Sequence, residues 1–83
     1  MSISMFGEKL RAEREKLDLS AQSLAEACGV ARSYITLMES GKRLPGKPLL
    51  PKIATALNIP VEVILEWYFA DMKDKIIKKQ RLF

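Results

Sequence analysis

An all-α fold of five helices follows from two features of the sequence. Apolar residues recur at spacings of three and four along the chain, and no convincing strand stands among them. Ser, Gly, Asn and Pro stand where such helices begin and end. Eighty-three residues in this pattern suggest one small domain, with no repeat, linker or low-complexity segment.

Taken in order, helix one is expected from Met5 to Leu17, with Ser4 as N-cap and Phe6, Leu10 and Leu17 on its apolar side. Ser20 caps helix two, Ala21 to Cys28, which turns Leu24, Ala25 and Cys28 inward; Gly29 supplies the left-handed residue that ends it. Only Val30 and Ala31 precede helix three, which starts at Arg32 and stops at Gly41. The stretch "KRLPGKP" is a loop by its prolines and glycine. Helix four runs from Pro48 to Leu57 with both prolines in its first turn, where a missing N–H costs little. Leu50, Ile53 and Leu57 form its core stripe, and Asn58 ends it. Helix five begins at Pro60 and carries Val61, Ile64, Leu65 and Tyr68 on the helical period.

Composition excludes several functions. There is no histidine, the commonest general base and metal ligand, so neither a metal site nor acid–base catalysis is expected. The acids Glu13, Glu15 and Asp18 lack a nucleophile arrangement, and Gly41 and Gly46 lack phosphate-loop spacing. Cys28, the single cysteine, reads as a small core residue in a reducing compartment. No apolar run reaches membrane-span length, and "MSISMFGEKL" does not read as a secretory leader.

Helix three poses a question. On a wheel of 100° per residue, Arg32, Thr36, Ser40, Ser33 and Leu37 share an arc of about 140°, while Tyr34, Ile35 and Met38 fall opposite. Leu37 is thus a large apolar group on the polar face. Beside that face the charge is one-sided. Arg32, Lys42, Arg43, Lys47 and Lys52 are opposed only by Glu39, within a chain of net charge +4. A basic patch next to a short helix suits a polyanion, or is simply a solvated surface. Helix two, the Gly-containing turn and helix three together form a helix-turn-helix over residues 21–40. Such a unit either projects its second helix into a DNA major groove or merely packs as a hairpin.

The segments "LRAEREKLDLSAQSLAEACGVARSYITLMESGKR" and "LLPKIATALNIPVEVIL" carry a resemblance. They are similar to the Cro/C1-type, XRE-like helix-turn-helix family of phage repressors and bacterial transcriptional regulators. The resemblance covers Phe6 to Leu65. It implies a compact, lambda-repressor-like five-helix domain over residues 1–65, followed by an extended C-terminal helix over 66–83. It also implies sequence-specific binding of double-stranded DNA and transcriptional regulation, most simply as a repressor on a palindromic operator.

Position by position, the resemblance puts Leu24, Ala25, Val30, Ile35 and Met38 in the motif core. It places Arg32, Ser33, Thr36 and Leu37 among the base-reading positions, and Gln22, Tyr34, Ser40, Lys42, Arg43 and Lys47 among the phosphate-binding ones. Arg14 and Glu39 fall where the family tends to form a partly buried ion pair. Two positions depart from the family pattern. Ala21 stands where a phosphate-bonding glutamine is usual, with Gln22 one place later. Ala31 stands at an N-cap usually held by Ser or Thr, at a cost of about 1 kcal/mol. In this setting Leu37 can lie against the 5-methyl group of thymine and Arg32 can make a bidentate contact to guanine; a protein partner is the alternative for Leu37.

Past residue 65, Leu65, Phe69, Met72, Ile76, Lys79 and Phe83 recur at four and three, a heptad seam. Self-association through Leu65, Trp67, Phe69, Met72 and Ile76 is the most economical reading, giving a homodimer. A tail folded back on helix one and a basic membrane contact are the alternatives. The expected partners are therefore operator DNA, a second copy and possible regulatory proteins, in the cytoplasm, with no cofactor, small-molecule ligand or membrane. Two other roles fit the same fold: an antitoxin or restriction-modification controller, and a protein-interaction adaptor.

Overall fold

The computed structural model describes residues 5–80, apart from the side chains of residues 74, 75 and 78–80. Five helices and no strand occur among the described residues: α1 (Met5–Lys16), α2 (Ala21–Cys28), α3 (Arg32–Glu39), α4 (Leu49–Leu57) and α5 (Val61–Gln80). The expected cap Ser4, together with Phe83 and the side chain of Lys79 in the C-terminal seam, lies outside the described residues.

The ends of the helices follow the local chemistry. Ser20 accepts the Ser23 N–H at 3.0 Å, satisfying one donor of the first turn of α2. Gly29 ends α2 at φ 70°, and Val30 donates to the Ala25 carbonyl, the six-to-one bond of a Schellman turn. Ala31 caps α3 without any side-chain bond. Asn58 closes α4 at φ 55° in the same left-handed well that Gly29 uses.

Helices α2, α3 and α4 surround one face of a core that α1 and α5 close. Phe6, Leu10, Leu24, Ile35, Met38, Ile53 and Ile64 are fully buried in it. Leu17 departs from expectation. α1 stops at Lys16, Asp18 takes φ 58°, and the turn leaves Leu17 exposed while Leu19 packs on the core.

α5 corrects the expectation for the C-terminal region. Ile64, Trp67, Tyr68 and Asp71 are buried at i, i+3, i+4 and i+7, so the inner stripe of this helix belongs to the domain core. Phe6 meets Tyr68 edge to face, with ring centroids 6.4 Å apart. Trp67, expected between chains, is only 9 % exposed within a single chain. The physical reason is the wheel: residue 67 shares its face with 64, 68 and 71, not with 65, 69, 72 and 76. The division expected at residue 65 falls inside one continuous helix.

Candidate nucleic-acid interface

Two elements bring the candidate residues together. α3 is held by Ile35 and Met38, both fully buried, which turns Arg32, Ser33, Thr36 and Leu37 outward. These four line one shallow depression on the surface. Leu37 is 38 % exposed and sits on that polar face as the periodicity predicts. The Thr36 hydroxyl donates back to the Arg32 carbonyl at 3.3 Å, and the Ser40 hydroxyl to that of Leu37 at 3.1 Å. Both hydroxyls can exchange these bonds for an acceptor outside the chain.

The basic loop starts from a second Schellman-type turn. Gly41 takes φ 79° and Lys42 donates its N–H to the Leu37 carbonyl at 3.0 Å. The chain therefore leaves α3 sharply, and Lys42 and Arg43 stay beside its C-terminal end. Half-buried Leu44 packs against the core and Pro45 beside it is buried, while Lys42, Arg43 and Lys47 are exposed. Gln22 is exposed in the first turn of α2.

Tyr34 is placed differently from the other candidates. It is half-buried against the core, its hydroxyl oxygen accepts the Gly46 N–H at 3.3 Å, and the Arg43 guanidinium carbon lies 5.0 Å from its ring centroid. It faces the loop rather than the depression lined by Arg32, Ser33, Thr36 and Leu37.

Behind α3, Arg14 reaches from α1 to Glu39. Its Nε and Nη2 donate to the two carboxylate oxygens at 2.7 and 3.0 Å, and its Nη1 donates to the Leu19 carbonyl at 2.7 Å. The hydrogen bond to Glu39 is the main cause that raises the Arg14 pKa above its ordinary value, against the cost of partial burial. Burial raises the pKa of the Cys28 thiol, with Lys52 acting weakly the other way. Cys28 is thus buried in the core, where burial disfavours its thiolate.

Sequence reading missed one architectural residue. A Cβ at Gly7 would fall against the Met38 carbonyl oxygen and 2.7 Å from that of Glu39. α1 thus crosses the end of α3 at a distance only glycine permits. A glycine inside a helix is itself the available signal, because it costs about 1 kcal/mol relative to alanine and asks for a packing reason. Buried Asp71 was also missed, since a single acid on an apolar stripe has no distinctive spacing.

The outer stripe of α5 is open. Phe69 is 58 % and Ile76 56 % exposed, and Leu65 and Met72 are half-buried. Phe69 also borders a groove between α4 and α5 lined by Lys47, Leu50, Pro51, Val61, Leu65 and Tyr68. No helix among the described residues is long and apolar enough to cross a membrane.

Comparison with known proteins bears on this geometry. A family described as "Helix-turn-helix" matches residues 10–64. The HTH-type transcriptional repressor RghR of Bacillus subtilis is 44 % identical over 61 residues, covering 72 % of this chain and 45 % of RghR. The chain therefore spans less than half of that relative. The restriction-modification controller protein C.AhdI of Aeromonas hydrophila superposes with a TM-score of 0.70 at 36 % identity, covering 74 % of this chain and 92 % of C.AhdI. The biofilm master regulator SinR, solved in complex with DNA, superposes with a TM-score of 0.67 at 30 % identity, covering 72 % of this chain and 97 % of SinR.

Proposed function

The chain belongs to the helix-turn-helix family, of the Cro/C1 type, and from that premise we propose that it is a sequence-specific, double-stranded-DNA-binding transcriptional repressor acting as a homodimer on a palindromic operator. One observation carries the reading. The outward face of α3, with Arg32, Ser33, Thr36 and Leu37 exposed together, lies beside a loop that presents Lys42, Arg43 and Lys47. An α-helix fits the major groove, and cations at its edge meet the phosphates that border the groove. Arg32 reads guanine and Leu37 packs on a thymine methyl, while Ser33 and Thr36 reach base edges. Lys42, Arg43, Lys47, Gln22 and Ser40 hold the backbone.

Two copies are required because one such helix reads too few base pairs for tight, selective binding. Repressors of this geometry place two helices about one DNA turn apart, roughly 34 Å, on two half-sites. The open stripe of α5, with Phe69 and Ile76 exposed and continuous with the α4–α5 groove, supports pairing by a second copy. The protein works in the cytoplasm, where operator DNA is reached, and needs no catalysis or cofactor for this role.

A second reading, a restriction-modification controller, is favoured by the match to C.AhdI over 92 % of that chain. It shares the same DNA chemistry and differs in the genes controlled.

Binding across a salt series tests the proposal. Each phosphate neutralised steepens log K against log salt by roughly 0.9. Lys42→Ala is expected to weaken specific and random duplexes alike and to flatten that slope. Footprinting on the DNA around its own gene then locates the operator. A wild-type chain that binds no duplex at low salt refutes the reading in favour of a protein-interaction adaptor.

A further inference from the structure

We infer that Tyr34 is a positioning residue that clamps the basic loop onto α3 and holds the Arg43 guanidinium ready for a phosphate. The inference rests on the DNA-binding reading of this face and deepens it.

Three observations lead here. Tyr34 stands on α3 next to Ser33, yet it points toward the loop, with its ring half-buried on the core. Its hydroxyl oxygen accepts the Gly46 N–H at 3.3 Å. The Arg43 guanidinium carbon lies 5.0 Å from its ring centroid, within cation–π range. One side chain thus grips the loop at two points, residues 43 and 46. Between those points Leu44 packs against the core and Pro45 is buried. On the near side, Lys42 donates to the Leu37 carbonyl at 3.0 Å; on the far side, the Gly46 carbonyl accepts the Leu49 N–H at 3.0 Å, where α4 begins. The loop is therefore fastened along its length to the helix that carries the base-reading face.

The consequence for binding is preorganisation. A free arginine loses rotamer freedom when it engages a phosphate, and that loss subtracts from affinity. A guanidinium resting over an aromatic ring has already given up part of that freedom. Those of its five N–H donors that point away from the ring remain available to phosphate oxygens. The ring also fixes the distance between the cation and the outward side chains of α3. A correct phosphate contact and a correct base contact then require the same register of the protein on the duplex. The hydroxyl, which accepts from Gly46, fastens the loop, whereas the ring holds the guanidinium, so the phosphate contact of Arg43 depends first on the ring.

The experiment uses the full-length chain with Tyr34→Phe, Tyr34→Leu, Arg43→Ala and the Tyr34→Leu/Arg43→Ala double variant. Circular dichroism certifies the fold of each. Affinity for a random-sequence DNA duplex is measured over a salt series. Arg43→Ala is expected to flatten the slope of log K against log salt by about 0.9. Tyr34→Leu is expected to lower affinity while keeping most of the slope, because the Arg43 cation remains, Tyr34→Phe to stay close to the wild type in both, and the double variant to match Arg43→Ala alone. Independent, additive losses overturn the positioning role. A slope loss in Tyr34→Phe equal to that of Arg43→Ala overturns it too, because the hydroxyl would then hold a phosphate directly. A second readout does not depend on the leucine variant folding. The side-chain protons of Arg43 are expected to show a ring-current shift in the NMR spectrum of the free protein, kept in Tyr34→Phe; its absence overturns the clamp. A wild-type chain that binds no duplex refutes the DNA-binding reading and this one with it, whereas binding with additive variants refutes the positioning role alone.

Discussion

The Nε of Arg14 lies 2.7 Å from a carboxylate oxygen of Glu39, joining α1 to the C-terminal end of α3 across 25 residues of sequence. Both side chains are nearly buried, at 13 % and 11 % exposure. The pair fixes the base of the helix whose outer face carries the candidate site. By contrast, Arg11–Glu15 and Lys16–Glu13 are exposed pairs within α1, of the kind that contributes little.

Breaking this pair from one side is expected to be costly. Glu39→Gln removes the carboxylate charge and one of its two acceptor oxygens, leaving the Arg14 charge with a neutral amide oxygen and the Leu19 carbonyl, and destabilisation of about 3 kcal/mol is expected. Arg14→Ala also frees the Leu19 carbonyl and is expected to cost at least as much. Urea denaturation measures both; a loss under about 1 kcal/mol would mean that the pair behaves as a solvated one.

Gly7→Ala reverses the usual sign of its substitution. In an ordinary helix interior, alanine is better than glycine by roughly 0.5–1 kcal/mol. Here the added methyl meets two backbone carbonyl oxygens that cannot rotate away. A lowered thermal midpoint is expected, and a raised one would show that α1 and α3 can separate at no cost.

On DNA, Arg32→Ala is expected to lose about 1–3 kcal/mol on the operator and much less on random duplex. Equal losses on both would make Arg32 a phosphate contact. Leu37→Ala is expected to relax preference at one thymine per half-site; the same result is expected from replacing that thymine with uracil in the wild-type complex.

Phe69→Glu and Ile76→Glu place charges on the open stripe of α5 while sparing the core. Sedimentation at micromolar concentration is expected to show monomers for both and a dimer for the wild type. Deletion of residues 66–83 is not a clean test, because it removes Trp67 and Tyr68 from the core of the single chain. A dimer that survives both substitutions places the interface elsewhere.

Cys28 is expected to give stability an alkaline limb. Its folded pKa is raised by burial, so between the unfolded and folded values the native state holds a proton that the unfolded chain has released. The unfolded state then binds fewer protons, and stability falls as pH rises past about 8.5. Cys28→Ala is expected to lose less stability than the wild type between pH 8 and 9.5. Parallel curves would show that the thiol is not coupled to folding.

Much of the fold was legible because its signals are local. Helix periodicity, the Ser20 cap and the left-handed Gly29 and Asn58 depend on neighbours within one or two turns, and the helices lie where those residues put them. The outward arc of α3 was legible for the same reason, since burying Ile35 and Met38 leaves Leu37 no other face. Leu17 was misread because helix one ends one residue early and the left-handed Asp18 turns the chain away from the core.

By itself, then, the sequence determined five helices, the Ser20, Gly29 and Asn58 ends of α2 and α4, and the polar arc with its basic loop, each written in spacings of four residues or fewer. Tertiary structure decided what those spacings cannot encode. It assigned Trp67 to the core of one chain and left Phe69 outside, because both lie on apolar stripes and only the position of α1 and α4 selects between them. It brought Arg14 to Glu39 and the carbonyls of α3 to Gly7, contacts between residues far apart in the chain. It brought Tyr34 against Gly46 and Arg43 of the loop, because the loop turns back on α3 after Gly41, and no periodicity carries that information.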